Sequence, residues 1–410
     1  MSVQPLSRWA PRVLRGVALL CLVAGAACRD LLTVAPNDAD LFDAPLEGLT
    51  PPELAAFARG DAEFGRRFSP TTGLGPIFND VSCASCHSGD GRGRLDNALV
   101  RIGSPADGFL RPIGGPQIQG KAIPGAHAES VPPGVATSLR LPPPVFGTGL
   151  IEAIPLATIL ALADSADRDG DGISGRPNWV LPPSYVTAAE PGGGNGPQLG
   201  RFGRKASVSS ILQQTVGAYH EDMGITTAQL PDENVNPLAP TTITVDAVAD
   251  PEVSPSTVQA VVHYLRALAP PAPADDNATR TEGRTLFAQA RCTACHTPRF
   301  TAGASPLATI QGRSVDLYSD LLLHDMGPEL ADDRPDEGAT GREWRTAPLW
   351  GLRLMRRFLN GDAFLMHDGR AHTVDTAIRL HGGEAAASRA AYVALTPAQR
   401  SALLAFVESR

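Results

Sequence analysis

At 410 residues the chain is too long for one ordinary hydrophobic core, and two or three domains are expected. A hydrophobic content of 43% is that of a globular protein, while 41 Gly and 37 Pro are high without reaching the level of disorder, so much of the chain should be ordered loop. The formal net charge of −8 argues against nucleic acid as a partner and permits docking to a basic redox protein, a merely soluble acidic surface being the alternative.

Residues 1–28 read as a secretory leader: Arg8, Arg12 and Arg15 form a charged region, Gly16 to Ala27 an apolar one, and small residues precede Cys28. The apolar run is too short to span a bilayer. Gly25-Ala26-Ala27-Cys28 also has the form of a bacterial lipobox, with Gly25 where a larger aliphatic residue is usual, so a lipid anchor at Cys28 and simple cleavage both stand open. Either outcome exports the protein, to the periplasm or to an anchored position at the outer membrane. Loss of the three leader arginines takes the charge from −8 to −11.

Thr50-Pro51-Pro52-Glu53 is a capping box that starts a helix. Beyond it, Cys83-Ala84-Ser85-Cys86-His87 is the C-x-x-C-H signal for covalent c-type haem attachment. Two thiols add to the two porphyrin vinyl groups, and the adjoining histidine gives the iron a proximal imidazole. The motif recurs as Cys292-Thr293-Ala294-Cys295-His296, so two haems are expected. A zinc ribbon is the competing reading, but the two Cys pairs begin 209 residues apart, at 83 and 292, whereas a ribbon holds its pairs within about 15 to 20 residues. The remaining cysteines, Cys21 and Cys28, lie in the leader, so no structural disulfide is expected.

Between the motifs, Asp167, Asp169 and Asp171 followed by Gly172 match the opening of an EF-hand calcium loop, with Asn178 at the twelfth position in place of the usual Glu. A solvated Asp/Gly turn is the alternative. Val208, Ile211, Leu212 and Tyr219 have helical spacing. Ser254 caps a further helix with Pro255 first and Val258, Val261, Val262, Leu265 and Leu268 on one face. The stretch 270–276 is a Pro-rich linker, dividing an N-terminal haem domain (29–269, with the Asp/Gly-rich loop) from a C-terminal one (277–410). Gly283 and Phe287 share a helical face before the second motif, Phe78 precedes the first by the same five positions, and Thr396-Pro397-Ala398-Gln399 is another capping box. Helix followed by C-x-x-C-H is the order of small cytochrome c domains. Strand-like alternation is confined to Thr241 to Val245. The expected fold is mainly α, with two cytochrome c-like haem domains and long ordered loops.

Several stretches together resemble one family. Phe146 to Pro155, the Asp/Gly loop through Arg176, Gly200 to Ala206, Tyr318 to Pro328, Arg345 to Trp350, and His367-Asp368-Gly369-Arg370 through Ala385 look like the bacterial di-haem oxidoreductases, labelled peroxidase or thiol-oxidoreductase-like. That family is more distantly similar to bacterial di-haem cytochrome c peroxidases, and this second likeness implies roles. In those peroxidases a His-x-Gly precedes by fourteen residues the sixth ligand of the electron-accepting haem. His367 then points to His381, implying a second haem held by His296 and His381, with Met326 as the competing ligand. His324 and His367 are expected as hydrogen-bonded core histidines.

The region near Gly103, where activation-dependent peroxidases carry a distal His, has none; His87 is then the protein ligand of the first haem, with His127 as an alternative sixth ligand. The resemblance further implies Gln214 with Asp222 or Glu221 as distal proton-handling groups, a solvated helix face being the alternative for Gln214. Arg204 stands where the family pattern has an inter-haem Trp; Trp344, Trp350 and Trp179 are the candidate replacements. Thr346-Ala347-Pro348 matches a segment whose Thr346 and Pro348 backbone oxygens would help bind calcium. The implied function is a periplasmic oxidoreductase reducing hydrogen peroxide with electrons from an external cytochrome or copper protein. The alternatives are an electron-transfer cytochrome without catalysis, or a relative of the methylamine-dehydrogenase maturation enzyme that oxidises residues of a partner protein. The "thiol" label finds no free cysteine to support it.

Overall fold

Two helix pairs place the two C-x-x-C-H motifs. The computed structural model describes residues 41–410, except 88, 90, 92, 240–245 and 360. The leader with Cys28 and the expected strand at Thr241 to Val245 lie outside the described residues. Among those described, the five longest helices are α1 (Pro51–Gly65), α2 (Ile211–Met223), α3 (Pro255–Ala267), α4 (Ala278–Gln289) and α5 (Pro397–Val407).

The capping boxes form as the sequence requires. Glu53 accepts from the Thr50 N–H at 2.7 Å, Gln399 accepts from the Thr396 N–H at 3.0 Å, and proline fills the first helical position of both helices, where no N–H is needed. Ser254 caps α3 by accepting from Thr257, and Val258, Val261, Val262 and Leu265 are its buried stripe.

α1 packs on α3, and α4 packs on α5. Both contacts are close because a glycine sits at the crossing. A Cβ on Gly60 would lie 2.2 Å from the Ala260 carbonyl oxygen, and one on Gly283 would lie 2.0 Å from that of Ala402. Four residues after each glycine comes a buried Phe, and Phe64 and Phe287 each place a ring centroid 6.1 Å from the motif histidine, His87 or His296. Phe64 is therefore the counterpart of Phe287. Phe78, paired with it in the sequence reading, lies instead in the two-residue strand Ile77–Phe78 that pairs with Lys121–Ala122. The first half inserts this strand between its helix and its motif, which breaks the spacing that sequence comparison relies on.

The expected mainly α fold of two cytochrome c-like domains is not upheld. Only 33% of the chain is helical and 11% is strand, and the described strands form five two-stranded antiparallel sheets. The two longest, β1 (Leu99–Gly103) and β2 (Ala136–Arg140), pair over five residues, and the next, β3 (Leu323–Asp325) and β4 (Glu343–Arg345), over three. Runs this short cannot show a sustained alternation of period two, so the sequence carried little sign of them. Frequent Gly and Pro cut the chain into segments too short for long helices.

The core has two main clusters. The larger joins Phe57, Phe64, Leu150 and Val261 to Ile310, Leu317 and Trp350 from beyond the Pro-rich stretch; the smaller gathers Leu286, Phe287, Tyr392 and Phe406 and takes Leu141 from the first half. A buried ionic network also joins distant segments. Arg140 binds Asp332 at 2.6 Å and Asp336 at 2.5 Å, Lys205 binds Asp332 at 2.6 Å, and Arg334 binds Asp336 at 2.5 Å. Removing one member would strand a buried charge, at a cost of about 3–5 kcal/mol.

Candidate active site

The second motif lines a cavity of about 230 Å³ in which Cys292, Cys295 and His296 meet His381 and Met326. α4 ends three residues before Cys292, and a short 3₁₀ turn over Cys292–Ala294 brings the two thiols together. Nδ1 of His296 lies 2.8 Å from the Tyr318 carbonyl oxygen. Nδ1 of His381, at the end of the helix Val374–Leu380, lies 2.7 Å from that of Ala377. A carbonyl only accepts, so each ring carries its proton on Nδ1 and keeps the Nε2 lone pair for another partner. Burial pushes His296 down to about 4 and lowers His381 as well. Both are neutral near pH 7, the state a metal-ligating imidazole needs.

The other two histidines of this region have their own partners. Burial works to lower His324, but bonds to Asp320, Cys295 and Glu384 outweigh it and push it up to about 12. Its Nε2 lies 2.8 Å from Asp320 and its Nδ1 2.6 Å from Glu384, so it is an imidazolium held between two carboxylates. His367 stacks on Trp344, centroids 3.8 Å apart, and burial pushes it down to about 3.

The first motif lines a larger cavity of about 540 Å³. Ser82 caps the single helical turn Cys83–Cys86 by accepting from the Ser85 N–H, and His87 ends it. Burial raises the Cys86 thiol and pushes His87 down to about 4. Nδ1 of His87 is buried without a hydrogen-bond partner, although the carbonyls of Pro143 and Gly91 lie close enough to act on it. Along the wall of this cavity α2 presents Gln214, Gly217, Ala218 and Glu221, one face at i, i+3, i+4 and i+7. A Cβ at Gly217 would meet nothing within 4 Å. Asp222, next on the helix, accepts from Gln117 Nε2 at 2.6 Å, and burial pushes it up to about 7.

Gln117 went unseen in the sequence because it lies 105 residues from its partner and carries no motif. His220 also lines this cavity, its Nε2 bonded to the Asp232 carbonyl at 3.1 Å. His127 is exposed and is not among the lining residues.

Arg204, Arg345, Ala347, Pro348 and Leu352 line both cavities, and so form the wall between them. Arg204 donates Nε and Nη2 to the Leu141 carbonyl at 3.1 and 2.8 Å. Arg345 donates its backbone N–H to the Arg204 carbonyl and its Nε to that of Gly203. Of the three tryptophans weighed for this role, Trp350 lines the first cavity and Trp344 the second, while Trp179 is 43% exposed and lines neither.

The expected calcium ligands are not gathered in one place. Carboxylate oxygens of Asp167, Asp169 and Asp171 lie within 4.8 Å of one another, and Asp171 forms an ion pair with Arg291. Asn178 is buried elsewhere, its amide bonded to the backbones of Lys205, Asp336 and Gly338. The Thr346 carbonyl accepts from the Ser319 hydroxyl at 2.7 Å, and Pro348 belongs to the wall between the cavities.

The family described as "Di-haem oxidoreductase, putative peroxidase" matches residues 29–112 and 128–410. The chain belongs to that family. No curated protein matches this di-haem oxidoreductase. Among solved structures, hydrazine synthase of Kuenenia stuttgartiensis pressurized with 20 bar xenon aligns over 92% of this chain and 96% of that chain, at 15% identity and a TM-score of 0.39. A likeness that slight carries no argument. The residues of this di-haem oxidoreductase fit the cofactors that its family implies. The second cavity has both motif cysteines, a neutral histidine next to them and a largely apolar lining; the first is lined by Cys86 and a neutral His87 with a more polar wall, and holds buried polar atoms without partners at His87 Nδ1 and Arg101 Nε.

Proposed function

We propose that this di-haem oxidoreductase is an exported c-type cytochrome that reduces hydrogen peroxide to water with electrons from an external cytochrome or copper protein. Cys83 and Cys86, and Cys292 and Cys295, would hold the two haems by thioether bonds. His87 would bind the first iron, and His296 with His381 the second. The observation that carries this reading is the inequality of the two cavities. One offers two neutral imidazoles with their Nδ1 atoms already bonded. The other offers His87 and, in the same cavity, a polar helix face with open space at Gly217.

Bound haem would supply one-electron redox chemistry at each site. Reduction of H₂O₂ takes up two electrons and two protons and gives two waters, so the protein must move protons at the first site. Asp222, with its carboxyl at about 7, accepts and returns a proton with little driving force either way near neutral pH. Gln117 fixes one carboxyl oxygen and so aims the other. Gln214 and Glu221 line the same face, where Gly217 and Ala218 leave room for a small molecule. The external donor supplies the electrons, and a mature charge of −11 suits a basic one. Export follows from the leader, and calcium at Asp167, Asp169 and Asp171 belongs to the same proposal.

Electron paramagnetic resonance of the ferric holoprotein tests the reading. One high-spin and one low-spin iron per chain are expected. Two low-spin irons of like ligation would leave an electron carrier and remove the peroxidase.

A further inference from the structure

A buried charged cluster leans on the second motif. Segment 318–324 runs back along that motif: the Ser319 N–H donates to the Thr297 carbonyl at 3.1 Å and the Asp320 N–H to that of Cys295 at 2.9 Å. Tyr318 and Leu321 hold this course with φ of 51° and 63°, a left-handed backbone that a residue with a Cβ keeps only where its surroundings dictate it. The turn sets the Asp320 carboxylate 2.8 Å from His324 Nε2, while Glu384 meets Nδ1 at 2.6 Å.

An ionised carboxylate only accepts, so a ring placed between two of them carries a proton on each nitrogen. Asp320 also takes the Leu322 N–H at 3.0 Å. Glu384 takes the Ser174 hydroxyl at 2.6 Å and the N–H groups of Ser174 and Asp325. Burial works to raise the Glu384 carboxyl, but the bonds from His324 and Ser174 outweigh it and push it down to about 2. The side chains of Asp320, His324 and Glu384 are 2%, 3% and 14% exposed, so water screens these charges little. His324 lines the second cavity, its Nδ1 3.7 Å from Cys295 Sγ. The corresponding sulfur of the first motif, Cys86 Sγ, has the Asp80 carboxylate at 3.9 Å instead.

We infer that Asp320, His324 and Glu384 together set the reduction potential of the second haem, with His324 and Glu384 as positioning residues for electron uptake there. This rests on the reading of the second cavity as a haem site. Reduction adds one negative charge, which a fixed cation favours and a fixed anion opposes. At an effective dielectric constant of about 20, a unit charge within about 10 Å changes such an equilibrium at least about tenfold, and tenfold for one electron is about 59 mV.

The test uses holoprotein, wild type against Glu384→Gln and His324→Gln, with haem content and far-ultraviolet circular dichroism checked first. The midpoint potentials of both haems are then measured at neutral pH. Glu384→Gln can still accept from Ser174 and removes one negative charge, so one potential rises by about 59 mV or more. His324→Gln leaves two carboxylates without their cation, so the same potential falls by a similar amount. The other potential stays in place in both variants. Shifts of one sign in both variants are what loosened packing gives, and they overturn the inference, as do two potentials that do not move. Should His324→Gln fail to fold, the sign of the Glu384→Gln shift decides alone. A wild-type protein with fewer than two haems overturns instead the function on which the inference rests.

Discussion

Asp222→Asn distinguishes a proton-moving carboxyl from a structural one, because activity and stability should respond in opposite directions. The amide keeps the shape of the side chain, and its oxygen can still accept from Gln117 Nε2. Burial holds the carboxyl at about 7 against an ordinary 3.8, and a gap of that size corresponds to at most about 4 kcal/mol between the two protonation states. The folded value is the higher one, so the folded protein favours the neutral acid. That contribution is complete below pH 3.8 and is lost as pH rises through about 7. An amide never ionises. Asp222→Asn should therefore melt higher than wild type at about pH 8, and at nearly the same temperature at about pH 4. Peroxide turnover should fall, since a positioned acid–base group contributes about 10²–10⁴-fold. The wild-type rate should rise through pH 7 as the carboxylate accumulates, and the variant should lack that limb. The assay is steady-state oxidation of a reduced donor at matched haem content, beside melts at the two pH values. Turnover within about threefold of wild type, or a variant that melts lower than wild type at the higher pH, refutes the role.

His381→Met should raise one midpoint potential, because exchanging an imidazole for a thioether favours the ferrous state. An unmoved potential would assign that ligand elsewhere, Met326 being the next candidate in the cavity. Gly283→Ala should lower the melting temperature: its Cβ would press on the Ala402 carbonyl from 2.0 Å, and overpacking of about 1–3 kcal/mol outweighs a helix-propensity gain of about 1 kcal/mol. A higher melting temperature would show that α4 and α5 can separate freely. Arg291→Ala should tighten calcium binding measured by calorimetry, because it frees Asp171 from its ion pair. Absence of binding heat in both proteins removes the loop as a calcium site.

The two C-x-x-C-H motifs and the helix starts were legible in the sequence because each depends on residues at most four apart. Thr50 with Glu53, Thr396 with Gln399, and the Ser254 cap all formed as read. Contacts across long separations were not legible. Gln117 reaches Asp222, Arg140 reaches Asp332, and Asn178 is drawn to the backbone of Gly338, none of them at a spacing that any local pattern marks. The strands failed for a different reason, being too short to repeat. The Phe64–Phe287 equivalence was hidden because Cys83 comes nineteen positions after Phe64, whereas Cys292 comes five positions after Phe287.

The repeated helix pair raises the question of what makes the two sites unequal, since Gly60 with Phe64 and Gly283 with Phe287 set the motif histidines in the same way. The difference lies in what else lines each cavity. In the second half a short helix ends at His381, and the Ala377 carbonyl turns that ring for use. In the first half α2 runs past the cavity and presents Gly217 and Ala218 at the centre of its exposed stripe. Gly217→His should then copy the second site onto the first, since its Cβ enters open space and the helix gains a few tenths of a kcal/mol from losing glycine. The expected result is a folded protein with two haems, both low-spin, and no peroxide turnover. A high-spin signal that survives with turnover intact would mean that the α2 face does not lie over the reactive position, and Asp222 would lose its assigned part with it.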